Sequence, residues 1–192
     1  RRFAPWVTYE QAQQFFDIRI IGGNVKRISD ETDLILLVQP TSLSPTTLYA
    51  IDQFVMRGGK AMIFADPHVE VNPPPQPQQG QPYTPPAGHA LGPLLEAWGI
   101  EASPDGIVGD RIAAQRVAAL SGGRRVVTEY LPWLSLGPVS INREDVVTRD
   151  LERINLIAAG QVSVKEGSSL TMTSLLFSSE QSQVLDINAV RP

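Results

Sequence analysis

Residues 33–66 read DLILLVQPTSLSPTTLYAIDQFVMRGGKAMIFAD, and this stretch decides the fold. Apolar runs at Leu34–Val38 and Ala61–Ala65 predict two strands, and the residues between them predict a helix. Ser44 is suited to cap that helix and Pro45 to be its first residue, while the glycine pair before the second strand can end it. Two strands joined through a helix lie parallel, and continuous apolar runs are typical of a sheet covered on both faces.

The residues before this crossover extend the same architecture. Apolar side chains at helical spacing after Thr8 predict a short amphipathic helix, and Ile18–Ile21 predict a strand that ends at Gly22. A helix, a strand and a crossover in this order indicate a doubly wound sheet that lacks its first strand. We therefore expect residues 1–192 to be a single α/β domain from a larger, membrane-anchored protein.

Downstream of the crossover, the pattern becomes richer in strands. Ala90–Trp98 predicts a packing helix closed by Gly99, and Gly122–Gly123 predicts a turn. The alanine-rich run that ends at Leu120 is ambiguous between helix and strand. Further strands are predicted at 107–108, 125–130, 153–158, 160–164, 170–177 and 184–187. We expect one mostly parallel sheet flanked by helices in three layers, with a more β-rich C-terminal half.

Residues 72–88 interrupt this pattern with seven of the sixteen prolines and a run of glutamines and glycines. Such a composition buries too little apolar surface to offset the entropy of ordering. It predicts an inserted surface loop. A polyproline ligand for a partner domain is the alternative.

Composition excludes several classes of function. The net charge of −4 and the lack of a basic stripe argue against nucleic acid or an anionic membrane surface as a partner. The absence of cysteine excludes a thiol nucleophile, a disulfide framework and a thiolate metal site. No run of about 18 apolar residues predicts a membrane span, so any membrane contact is expected through segments outside this chain.

Asp66, His68 and Glu70 form the cluster with the most chemical potential, because they directly follow a predicted parallel strand. Open α/β sheets bind ligands at the carboxyl ends of their strands. Two carboxylates and an imidazole could ligate a divalent metal or share acid–base work. In the simpler interpretation, Asp66 caps the turn and His68 is solvated, because nothing in the spacing makes Asp30, Asp33 or Asp110 converge on them.

Other motifs carry weaker signals. The order of elements around Gly58–Gly59 is the reverse of a phosphate-binding loop, and no Gly-x-Ser-x-Gly motif marks a serine nucleophile. Trp98 has the spacing of a core residue. Trp133 could stack on a sugar or a peptide. No cofactor and no metal site are expected.

Several stretches together resemble a known family. The most specific is YAIDQFV at residues 49–55, within the crossover quoted above. Looser matches are VGDR at 108–111, YLPWL at 130–134, LL at 175–176 and SS at 178–179. The chain resembles the extracytoplasmic domain of bacterial ABC-transporter auxiliary proteins, the family that includes the gliding-motility-associated transporter component.

The resemblance implies a flavodoxin-like sheet, similar to that of class I glutamine amidotransferases, in a soluble periplasmic domain beside an ABC permease and its ATPase. Those amidotransferases use a cysteine, and because this chain has none, their chemistry cannot carry over. Two hypotheses follow. The first is a non-enzymatic module that binds a partner protein, a peptide, an envelope glycan or a transported substrate. The alternative is a metal-dependent hydrolase or glycan-processing enzyme that uses Asp66, His68 and Glu70.

Overall fold

The computed structural model describes residues 7–69 and 88–187. Its helices are α1 (Val7–Ala12), α2 (Pro45–Met56) and α3 (Gly92–Ala97), and a 3₁₀ turn covers Pro138–Ser140. Its strands are β1 (Leu34–Val38), β2 (Lys60–Phe64), β3 (Ile100–Ala102), β4 (Gly106–Asp110), β5 (Ala114–Ser121), β6 (Arg124–Leu136), β7 (Ile154–Ile157), β8 (Val162–Val164) and β9 (Ser182–Asp186).

The central crossover is confirmed. Strands β1 and β2 pair in parallel, with Leu34 opposite Lys60 and Val38 opposite Phe64, and α2 connects them. The Ser44 hydroxyl accepts a hydrogen bond from the backbone N–H of Thr47 at 3.1 Å, as expected of an N-cap. At the other end Gly58 has φ +92°, the left-handed conformation that ends a helix.

One face of the parallel pair forms the main core. Ile35 packs with Ile51 and Phe54 of α2, and with the buried leucines of the segment that contains α3. The opposite face is open to solvent. Leu36 is 53% exposed and Phe64 is 52% exposed, and Leu34, Val38 and Met62 share this surface. We call these five side chains the apolar face.

The predicted fold class is wrong. The described residues contain more strand than helix, and β1–β2 is the one parallel pair among them, so they do not form a three-layer, mostly parallel, flavodoxin-like or amidotransferase-like sheet. The other pairs are antiparallel: β3 with β8, β4 with β9, and β6 with both β5 and β7. The reason is physical: a backbone ladder can join strands that are distant in sequence, and periodicity alone carries no information about which strands pair.

Strand β6 bends where it leaves β5. Ala114 is opposite Leu134 but Gln115 is opposite Tyr130, so three residues of β6 have no partner on β5. One of them is Pro132, a residue that sheets tolerate at bulges because it has no N–H to donate. The bulge separates an outer hairpin from an inner part of β6 that pairs with β7.

Three local predictions have different outcomes. The strand predicted at Ile18–Ile21 is wrong: these residues form no strand, and Ile20 is 82% exposed. In residues 170–177 the one β contact is an isolated bridge from Leu176 to Ile141 rather than a strand. The inserted loop at 72–88 lies outside the described residues except for Gly88. Among the described residues, no helix is long and apolar enough to cross a membrane.

Candidate functional site

The carboxyl ends of β1 and β2 are held together by Gln39, the first residue after β1. Its side-chain amide donates to the carbonyl oxygen of Asp66 at 2.9 Å and accepts from the backbone N–H of Asp66 at 2.7 Å. The backbone N–H of Gln39 also donates to the carbonyl of Phe64. Gln39 has φ +42°, an uncommon conformation for a residue with a side chain. These bonds fix the start of the segment that leaves β2.

The chain returns to this edge at Gly88. The Gln39 amide donates to the carbonyl of Gly88, and the backbone N–H of Ala90 donates to the carbonyl of Pro40 at 2.7 Å. A Cβ atom on Gly88 would lie 2.6 Å from the carbonyl oxygen of Pro67, so only glycine fits without a backbone shift. This close approach brings His89 to the same edge as Asp66.

Asp66 and His89 influence each other electrostatically. Burial raises the pKa of the Asp66 carboxyl, and the nearby His89 partly opposes that rise. Burial lowers the pKa of His89, and Asp66 opposes that change. The Nδ1 atom of His89 accepts a hydrogen bond from the backbone N–H of Leu91 at 3.2 Å, which orients the ring. The two groups therefore favour their neutral forms more than they would in water.

His68 carries an unsatisfied polar atom. Its Nδ1 is buried and has no hydrogen-bond partner among the described residues. The preceding Pro67 is buried and packs close to Gly160, since its ring would lie 3.1 Å from a Cβ placed on that glycine. A buried polar nitrogen without a partner costs free energy that a bound group could recover.

The structure brings together only part of the predicted cluster. Asp66 and His68 lie at the predicted edge, whereas Glu70 lies outside the described residues. Trp133 is on β6, where its ring meets Tyr130 edge to face at 5.7 Å. That aromatic pair lies in a different sheet from β2, the strand that Asp66 follows. Its proposed stacking role stays a prediction.

The three other carboxylates considered from the sequence lie elsewhere. Asp30 and Asp33 line a depression of about 450 Å³ at the amino end of β1, with Arg57 3.4 Å from Asp30. Asp110 is fully buried at the end of β4 and is hydrogen-bonded to Ser179. Within residues 7–69 and 88–187, no group of three or more His, Asp or Glu side chains is arranged to hold a metal ion.

Sequence reasoning missed two members of this edge, Gln39 and His89. Gln39 directly follows the first parallel strand, as Asp66 closely follows the second, and the same rule about strand ends would have found it. His89 comes after the proline-rich segment, and its approach to Asp66 depends on Gln39 holding Gly88. That contact has no signature in sequence spacing.

A second depression, of about 480 Å³, lies between α3, β3 and β8. Its charged side chains are already paired, since Lys165 is 3.3 Å from Glu96 and the Ser163 hydroxyl is 3.3 Å from Glu101. The stronger candidate is the edge at the carboxyl ends of β1 and β2, formed by Gln39, Asp66, His68 and His89, which we call the carboxyl edge. Its polar groups include the Nδ1 of His68, which has no partner among the described residues.

Comparison with family models identifies the class of protein as an auxiliary component of an ABC transport system. The chain belongs to the family described as "ABC-type uncharacterized transport system", whose model matches residues 2–191. This match confirms the family predicted from the resemblance. No significant match was found among curated proteins or solved structures.

Proposed function

We propose that this chain is a non-enzymatic, extracytoplasmic domain that binds a partner protein or ligand on behalf of an ABC transport system. Membership of the auxiliary family supports the transport role. The partners that we propose are the permease and ATPase subunits, and the location is the periplasmic side of the inner membrane. In this view residues 1–192 form one domain of a larger, membrane-anchored protein.

The observation that carries the binding role is the buried Nδ1 of His68, which has no hydrogen-bond partner among the described residues. Two residues earlier, burial raises the pKa of the Asp66 carboxyl. Both features lower the stability of the free protein, because buried polar groups are more favourable when they are hydrogen-bonded. A bound group that pairs with them would recover this free energy. Asp66 and His68 are therefore the proposed contact residues, and an acid–base role for them is not required.

The test is affinity purification of the full-length tagged protein from detergent-solubilised native membranes, with quantitative mass spectrometry. Recovery of a permease and an ATPase in amounts comparable to the tagged protein is the expected result. Recovery of the tagged protein alone would contradict the transport role.

A matched pair of variants tests the site separately. Asp66→Asn is expected to reduce recovery of the partners, whereas Asp150→Asn, at a side chain 91% exposed, is expected to leave it unchanged. If both variants recover the partners as well as the wild type, the transport role stands and the carboxyl edge is not the contact surface.

A further inference from the structure

The outer hairpin of β5 and β6 is a two-stranded projection, which we call the arm (residues 116–129). Its strands pair from Arg116 opposite Glu129 to Ser121 opposite Arg124. They are joined by Gly122 and Gly123, both with positive φ, which is the two-residue turn preferred in hairpins. All six side chains from 124 to 129 are exposed.

Among the described residues, no strand lies beside the outer edge of the arm. β7 pairs with β6 only from Trp133 to Leu136, beyond the bulge, so in the part of the chain that the structure describes residues 124–129 pair with β5 alone. Backbone groups on such an edge can pair with another strand. A two-stranded hairpin open on both faces is also marginally stable by itself in water, and gains stability from a further strand.

We propose that this edge pairs in an antiparallel arrangement with the same edge of a second copy of the chain. The two copies are related by a two-fold axis that passes between their Val127 residues. The result is a four-stranded sheet that continues from one copy into the other. The proposal concerns self-association of the chain and does not depend on the transport role.

The charge pattern of β6 carries the proposal. In this register Arg125 lies opposite Glu129 of the partner subunit, and symmetry repeats the pair on the other side of the axis. Arg125, Val127 and Glu129 share one face, because side chains alternate along a strand. Val127, 63% exposed, would meet the partner's Val127 at the centre. Opposite charges placed directly across two strands stabilise their pairing.

Neither Arg125 nor Glu129 forms an ion pair with another described residue. Two alternative arrangements are less favourable. Parallel in-register pairing puts Arg125 opposite Arg125 of the partner subunit, and so does antiparallel pairing about a two-fold axis at Arg125 instead of Val127. Like charges directly opposite one another destabilise strand pairing.

Five residues per strand, 125–129, make a small interface. Specific stable interfaces bury about 1,600 Å², and the edge of one hairpin covers less, so the association is expected to be weak. Sedimentation velocity over about 10 to 500 µM suits a dissociation constant in the micromolar range or above. A dimer that forms with rising concentration is the expected result for the wild type.

Charge-reversal variants test the register. Arg125→Glu replaces both attractive pairs with repulsive ones and is expected to weaken the dimer about tenfold or more. Arg124→Glu changes the same charge one residue away, on the opposite face of the strand and outside the 125–129 pairing, and serves as the matched control with a much smaller effect. Thermal unfolding of each variant reports whether the fold is intact.

A rescue variant completes the test. Glu129 also lies across the arm from Arg116, so the triple variant Arg116→Glu, Arg125→Glu, Glu129→Arg inverts all three charges while keeping the pairing within the arm. It is expected to dimerise as the wild type does. A monomeric wild type, or equal weakening by the two single reversals, would overturn the proposal. Stoichiometric binding of a synthetic peptide of alternating Glu and Val to a monomeric wild type would assign the edge to an acidic partner instead.

Discussion

Asp110 and Ser179, 69 residues apart, are joined by two hydrogen bonds. The backbone N–H of Ser179 donates to one carboxylate oxygen at 2.6 Å, and its hydroxyl donates to the other at 2.7 Å. The backbone N–H groups of Ile112 and Ala113 donate to the same carboxylate. One fully buried side chain thus fixes the turn after β4 and the segment that leads into β9.

Removal of the Asp110 carboxylate is expected to destabilise the fold strongly. Asp110→Ala leaves the backbone N–H groups of buried Ala113, half-buried Ser179 and exposed Ile112 without this partner. Each unmade hydrogen bond costs about 1 kcal/mol or more, less where water can replace it, for a total of about 2 to 3 kcal/mol. Ser179→Ala is the control, because it removes only the hydroxyl and should cost about 1 kcal/mol. Urea unfolding of both variants measures the difference, and equal losses would contradict this role of Asp110.

The same carboxylate predicts how stability depends on acid. Burial alone would raise the pKa of Asp110, but the hydrogen bonds from Ser179, Ala113 and Ile112 outweigh it and hold the pKa below its ordinary value. Its contribution to stability is therefore fully present above the unfolded pKa of about 3.9, and is lost as the pH falls through the folded value. The stability difference between wild type and Asp110→Asn should be constant from pH 7 to about pH 5 and shrink in stronger acid. A difference that grows on acidification would show that the pKa is raised instead.

Asp66 predicts the opposite dependence on pH. Its pKa is raised by burial, so its contribution to stability is present below about pH 3.9 and is lost as the pH rises through the folded value. The neutral variant Asp66→Asn should therefore unfold at a higher temperature than the wild type at pH 7, and the gain should shrink toward pH 4. Asp150→Asn, at an exposed site, should show no such trend. A loss of stability in Asp66→Asn at pH 7 would argue that the carboxylate is structural.

Two substitutions at Gln39 separate the cost of its positive φ from the loss of its side-chain hydrogen bonds. Gln39→Ala and Gln39→Gly both lose the side-chain hydrogen bonds to Asp66 and Gly88, but glycine adopts φ +42° without steric cost. Both variants should be less stable than the wild type, and the glycine variant should be more stable than the alanine variant by about 1 kcal/mol. Chemical denaturation of the pair measures this difference. Equal stabilities would show that the positive φ stores no strain.

The sequence predicted the crossover because its signals are local. The N-cap at Ser44, the left-handed Gly58 and the two apolar runs act within a few residues of one another. The partner of β4 could not be read in this way, since Gly106 pairs with Asp186 and no local rule links strands so far apart. The strand predicted at Ile18–Ile21 failed for a related reason. Its apolar pattern is typical of a strand, but among the described residues β1 pairs with β2 alone.

The candidate site was partly predictable for a similar reason. Asp66 and His68 were found because they follow a strand, and chain order places them at its carboxyl end. Gln39 and His89 belong to the same edge through contacts between separate parts of the chain. Their roles depend on the tertiary fold and have no local signature in the sequence.

The apolar face has a consequence for the order in which the molecule opens. The crossover has the clearest sequence signals, yet its two-stranded ladder is shielded from water on one side only, since Leu36 and Phe64 remain half exposed. Segments with fewer buried contacts open at a lower free energy than the rest of a fold. Amide hydrogens of β1 and β2 should thus exchange with deuterium earlier than those of β4, where four of five residues are buried. The two strands that are easiest to recognise in the sequence would then be among the first to open.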